Sequence, residues 1–219
     1  MSNILTIAYC VEGTTDGRFL ESIISRTFED LALECDGQIE VFDPIPIPLH
    51  KQDGFAAGVL AAAGEAFRVG INVLCLHVDA DDDDDTSAME HRIKPAFAGV
   101  ATAARVCNNL VAIIPIQMSE AWMLAEIGLL KEEIGTALSD QDLGLTRAPE
   151  SIADPKEVII NAVRIAQQDL PRRRDRITIA DLYRPIGQKV SLERLQQLSS
   201  YAKFRAAVTE AYKRLNYLS

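Results

Sequence analysis

The sequence predicts an α/β protein: a Rossmann-like three-layer sandwich with a mostly parallel sheet over residues 1–130, then a polar connection and helical C-terminal appendage over 131–219. Three observations predict it. Short apolar runs alternate with segments of helical period through the first 120 residues. The runs themselves are nearly continuous, as expected of strands covered on both faces. After Ser119 the strand pattern stops and only helical periods remain.

Ile4–Val11 (ILTIAYCV) is the first strand, and Arg18–Leu33 follows with Phe19, Leu20, Ile23, Ile24, Phe28 and Leu31 at helical spacing. Ile39–Ile47 reads as a second strand, confined to an edge or loop at its end by Pro44, Pro46 and Pro48. Gly54–Val69 is an alanine-rich amphipathic helix, and Ile71–Val78 (INVLCLHV) is the clearest central strand. Ser87–Arg105 supplies another helix and Leu110–Ile116 another strand. Helices are then expected at Glu120–Leu130, Pro155–Gln168, Ser191–Leu198 and Tyr201–Leu215, with Pro171-Arg172-Arg173-Arg174, Pro185 and Gly187 as separators. Thr136–Asp154 reads as a long irregular connection.

A chain of 219 residues, 48% hydrophobic and 25% charged, excludes disordered and collagen-like classes. The formal charge of −10 hides an asymmetry: residues 1–150 carry −16 and residues 151–219 carry +6. The longest uncharged stretch, Val106–Ser119, is 14 residues, too short for a membrane span of about 20. No basic region precedes the first apolar run, so a secretory signal is not expected. Cys10, Cys35, Cys75 and Cys107 stand singly, with neither a zinc pattern nor a disulfide framework. The expectation is a cytoplasmic protein without a membrane partner; no oligomeric state follows.

In an open parallel sheet, functional groups gather at the carboxyl ends of the strands. Here the first strand runs into Glu12-Gly13-Thr14-Thr15-Asp16, the central one into Asp79-Ala80-Asp81, and the last into Ser119-Glu120. Carboxylates distant in sequence should converge on one rim. A hard divalent cation such as Mg²⁺ would suit them, because hard cations want oxygen ligands. The strand period of two should point Asp79 and Asp81 to one side. Gly13 should allow close backbone approach, and Thr15 or Asp16 should cap the next helix. Asp82–Asp85 read as a solvated loop.

The segments VEGTTDGRFLESII, LHVDADDDD and IPIQMSEAWMLAE together resemble a Toprim-like bacterial family, domain of unknown function 4276. Their glutamate and later DxD are similar to the Toprim signature of primases, topoisomerases and overcoming-lysogenization-defect (OLD) nucleases. The resemblance covers roughly residues 4–130, and Glu120-Ala121-Trp122 makes it more specific than the DxD alone. It implies a Toprim-like fold and Mg²⁺ or Mn²⁺ held by Glu12, Asp16, Asp79, Asp81 and Glu120. Of these, Glu12, Asp79 and Asp81 would be catalytic, with Glu12 a metal ligand or the general acid/base. Asp82–Asp85 extend the DxD, so the aspartate pair that binds metal stays open. OLD-type nucleases also use a lysine; Lys156 and then Lys189 are the candidates here. Family members often accompany ATPase genes in restriction and phage-defence loci, which implies nucleic acid as substrate and allows an ATPase partner.

The expected function is therefore a divalent-metal-dependent phosphodiesterase or nuclease. The alternative is a non-catalytic binding or regulatory subunit of an ATPase complex with a structural or idle acidic site. A receiver-like phosphoacceptor ranks third, lacking an evident lysine after the last strand. His77 reads as a core histidine bonded to a neighbour, Ser119 as a helix N-cap, and Trp122 as a packing anchor; His50 and His91 have no partner motif. Arg172, Arg173, Arg174 and Arg176 could hold phosphates or contact a protein partner.

Overall fold

The computed structural model describes residues 3–50, 52–168 and 176–218. Four parallel strands form the central sheet in the order β4 (Ile45–Pro46), β2 (Ile7–Cys10), β5 (Val73–His77), β6 (Leu110–Ile113). Cys10 lies in register with Leu76, and His77 with Ile113, so β2, β5 and β6 end at one rim. A shorter parallel pair, β1 (Asn3–Leu5) with β3 (Ile39–Val41), continues the first two strands backwards. Thr6 interrupts the first strand, because its N–H donates to the Asn72 side chain at 2.8 Å. The second expected strand breaks between Val41 and Ile45.

Both faces of the sheet are covered. Val73 and Cys75 pack with Ile7, Tyr9, Val111 and Ile113 beneath α1 (Thr14–Ala32). Leu74 and Leu76 pack with Ala8 and Cys10 against α2 (Phe55–Arg68), where Val59, Ala62, Ala63 and Ala66 are small enough for close contact. On that same face α3 (Thr86–Ala88) runs through a π-helical turn (Met89–Ile93) into α4 (Lys94–Ala101), which supplies Ala96 and Val100. That helix ends four residues before Arg105. The three-layer α/β class is thus the observed one, with about half of the chain helical.

The expected helix after Ser119 divides into α5 (Glu120–Met123) and α6 (Ile127–Ile134), the latter stopped by Gly135 in the left-handed region at φ 75°. One 3₁₀ turn, Pro149–Ser151, interrupts the irregular connection. Asp154 caps α7 (Pro155–Ala166) by accepting the Glu157 N–H at 2.8 Å. The separators Pro185 and Gly187 do not separate: α8 (Ile179–Lys189) runs through both. Packing overrides their low helix propensity, since a Cβ at Gly187 would lie 2.6 Å from the Phe19 carbonyl oxygen of α1. Arg26 of α1 then donates to the carbonyls of Gly187 and Val190, covering the open end of α8. After α9 (Leu192–Gln196), α10 (Ser199–Arg214) returns to the sheet, packing Tyr201, Phe204, Val208 and Tyr212 into the α1-side core. Among the described residues, no helix is long and apolar enough to cross a membrane.

Candidate functional site

The rim is built by three turns. After β2 the chain passes Glu12 and Gly13 and enters α1 directly, four residues earlier than the apolar period suggests. The N-cap is Gly13 rather than Thr15 or Asp16; Asp16, in the first helical turn, reaches back and accepts the Gly13 N–H at 3.1 Å. The turn is tight: a Cβ on Gly13 would sit 2.7 Å from that same carboxylate oxygen. Asp16 is therefore buried and aimed back at the sheet rather than into solvent.

The turn after β5 departs from expectation. The strand stops at His77, and Asp81 adopts φ 54°, so strand alternation does not orient the Asp79-Ala80-Asp81 pair. Asp81 is positioned by the turn after β6 instead. Its N–H donates to the Gln117 carbonyl at 2.9 Å, and Gln117, itself at φ 62°, returns its N–H to Asp82 at 3.1 Å. Two residues in the left-handed region cost roughly 1–2 kcal/mol each. The reciprocal clasp compensates for part of that cost and fixes the loop over the rim. Asp82, Asp83 and Asp84 stay exposed, as expected, while Asp85 pairs with Lys203 of α10 at 2.8 Å.

Asp79 is held from two sides. Its Oδ1 accepts the Ser119 N–H at 3.0 Å and lies 3.2 Å from His77 Nε2. The Ser119 hydroxyl is 3.0 Å from the same histidine nitrogen. The histidine reading holds: His77 is a buried core residue bonded to its neighbours. Ser119 does precede α5, but its hydroxyl makes no capping bond and turns inward instead. Trp122 is fully buried, donates to the Ser200 hydroxyl at 2.7 Å and meets Tyr201 edge-on, so it anchors packing.

Glu120 is buried with two partners: the Tyr183 hydroxyl of α8 donates to its Oε1, and Lys156 of α7 stands 3.3 Å from the same atom. Lys156 thereby reaches the site, whereas Lys189 pairs with Glu133 at 2.6 Å. Glu12 is paired with Arg92 from the π-helical turn. No motif announced Arg92 or Tyr183. Arg172, Arg173 and Arg174 lie outside the described residues, and Arg176 is exposed.

The electrostatics join the five carboxylates. Asp81 is exposed, and its carboxyl is raised above its ordinary range by partial desolvation and by Asp79 and Glu12, with Arg92 opposing. Burial likewise raises Asp16, with His77 opposing and Asp79 and Glu120 adding to the rise. The Tyr183 hydroxyl is raised by burial and then by Glu120 and Asp16. Oxygen donors of this kind fit a hard divalent cation in chemistry. In spacing, among the described residues, no three His, Cys, Asp or Glu side chains stand together as a ready ligand group. Arg92 draws Glu12 one way, while Tyr183 and Lys156 hold Glu120 another.

Compared with protein-family models, curated proteins and solved structures, the chain matches none.

Proposed function

We propose that this chain is a Toprim-like, divalent-metal-dependent phosphodiesterase that cleaves nucleic acid in the cytoplasm, in a phage-defence or restriction-like system beside an ATPase. The observation that carries the reading is the shared rim: β2, β5 and β6 end together, and the Ser119 N–H joins Asp79 at 3.0 Å to the turn that carries Glu120. Repulsion among carboxylates fixed by a fold favours a cation between them. Glu12, Asp79 and Asp81 would hold Mg²⁺ or Mn²⁺, with Asp16 and Glu120 beside them. Such a cation supplies Lewis acidity to a phosphoryl oxygen and acidifies bound water.

The remaining work belongs to the chain's own groups. The Ser119 amide and His77 orient Asp79. Glu120 steers Lys156, which is about half exposed, so that its ammonium can meet a phosphate as a point charge. Glu12 serves as ligand or as general acid/base. The test is cleavage of linear DNA and RNA by the purified chain with Mg²⁺ or Mn²⁺, with and without the product of the neighbouring gene. Activity should fall roughly a hundredfold or more in Glu12→Gln and Asp79→Asn, the scale of one acid–base group. Metal-independent cleavage, or none on either nucleic acid, would remove this reading.

The lack of a ready three-residue ligand group among the described residues, with Glu12 already on Arg92, favours a second reading. There the chain is a non-catalytic binding or regulatory subunit of an ATPase complex. Stable co-purification with the ATPase, without metal-dependent cleavage, would select it.

A further inference from the structure

We propose that Arg92 is a positioning residue that couples phosphate binding to cation binding: it holds Glu12 until a phosphodiester engages its guanidinium, and then leaves Glu12 to the cation. The inference rests on the metal-dependent reading above and deepens it by naming what assembles the site.

The geometry points to Arg92 for three reasons. Its Nη2 contacts Glu12 Oε1, so the guanidinium occupies the carboxylate that a cation would need. Its Cζ stands 4.8 Å from the centroid of the Phe55 ring, which braces the face of the guanidinium and leaves its edge donors to the rim. The residue sits in the π-helical turn Met89–Ile93, a form that recurs as single turns at functional positions. Both partners remain partly open to solvent, at 29% for Arg92 and 21% for Glu12.

A pair of that exposure is weak, so exchanging one partner costs little. Arginine is also suited to the exchange, because its fork matches phosphate oxygens as well as carboxylate oxygens. When Glu12 pairs with a cation, Arg92 loses its counter-charge and binds phosphate better. Linkage requires the converse by the same factor. Arg92 thus makes the site's cation affinity depend on substrate.

The experiment is calorimetric titration of the full chain with Mn²⁺, with and without dimethyl phosphate, in wild type, Arg92→Ala and Arg92→Lys. Wild type should bind Mn²⁺ about fivefold tighter when dimethyl phosphate is present, the low end of such couplings. Arg92→Ala should bind Mn²⁺ up to about fivefold tighter than wild type without phosphate, the value of one weak ion pair, and should gain less from phosphate than wild type does, because only the direct contact between cation and phosphate remains. Arg92→Lys, keeping charge without the fork, should fall between them. Arg92→Gln, which keeps the stem over Phe55, gives the same reading if the alanine variant does not fold. Equal Mn²⁺ affinity and equal phosphate effect in wild type and Arg92→Ala would overturn the coupling alone. No Mn²⁺ binding by any of these proteins would overturn the metal reading and the coupling together.

Discussion

Ser119 donates its backbone N–H to Asp79 Oδ1 at 3.0 Å, tying the turn after β6 to the turn after β5. The orientation of Asp79 is therefore set in part by a peptide group 40 positions away, beyond the end of the next strand. His77 closes the triangle, 3.2 Å from Asp79 and 3.0 Å from the Ser119 hydroxyl. Such a buried polar network is strong when satisfied and costly when broken.

Asp79→Asn keeps an acceptor for the Ser119 amide while removing a negative charge, so the variant should fold. In wild type, Mn²⁺ at a hundredfold excess over Kd should add about 2.7 kcal/mol. For a chain of this length that is roughly 5–10 °C in Tm. The variant should lose most of that shift in a thermal melt. Equal shifts in both proteins would locate the cation elsewhere, for example along Asp82–Asp85.

The raised Asp16 carboxyl makes a pH prediction whose sign is fixed. Because the folded value lies above the ordinary 3.8, the folded state binds more protons between the two values. Stability from this group is accordingly lost as pH rises from about 3.8 and levels off above the folded value. Asp16→Asn retains an acceptor for Gly13 but has no such dependence. In EDTA, its urea midpoint relative to wild type should rise between pH 4 and pH 7. A constant difference would contradict the burial of this charge.

Tyr183→Phe removes a hydroxyl donor from the buried carboxylate of Glu120 and leaves Lys156 as its ion-pair partner. Hydrogen bonds to charged groups are worth about 1.5–3 kcal/mol, so urea denaturation should show a loss of that order. A loss below about 0.5 kcal/mol would mean that Lys156 or water satisfies Glu120 without the tyrosine.

Gly187→Ala opposes two effects of known size. Helix propensity gains up to about 1 kcal/mol from the substitution. Overpacking against the Phe19 backbone, 2.6 Å from the new Cβ, costs about 1–3 kcal/mol. The expected net result is destabilisation with a Tm lower by several degrees. A stabilised variant would show that α8 can shift away from α1 without loss.

Much of the architecture was legible because burial on a repeating lattice leaves a local signature. The runs ILTIAYCV, INVLCLHV and LVAIIPI become β1–β2, β5 and β6, and the Ala-rich segment becomes α2. The shared rim of Glu12, Asp79 and Glu120 followed from the same logic, since parallel strands must end on the same side. The α8 helix was not legible: Pro185 and Gly187 signal a break locally, and only contact with α1 gives Gly187 its purpose. Asp81 likewise follows strand alternation in the sequence, yet its backbone is turned by Gln117, 36 positions away.

By itself, then, the sequence determined the layer order, the strand-end carboxylates and the helical C-terminal region. The tertiary structure alone decided what each carboxylate touches. Arg92 meets Glu12 across 80 positions and Tyr183 meets Glu120 across 63. Periodicity records whether a residue faces a core; it carries no record of which distant side chain will face it there. That pairing is created only when separately formed elements dock, and it sets the electrostatics of the rim.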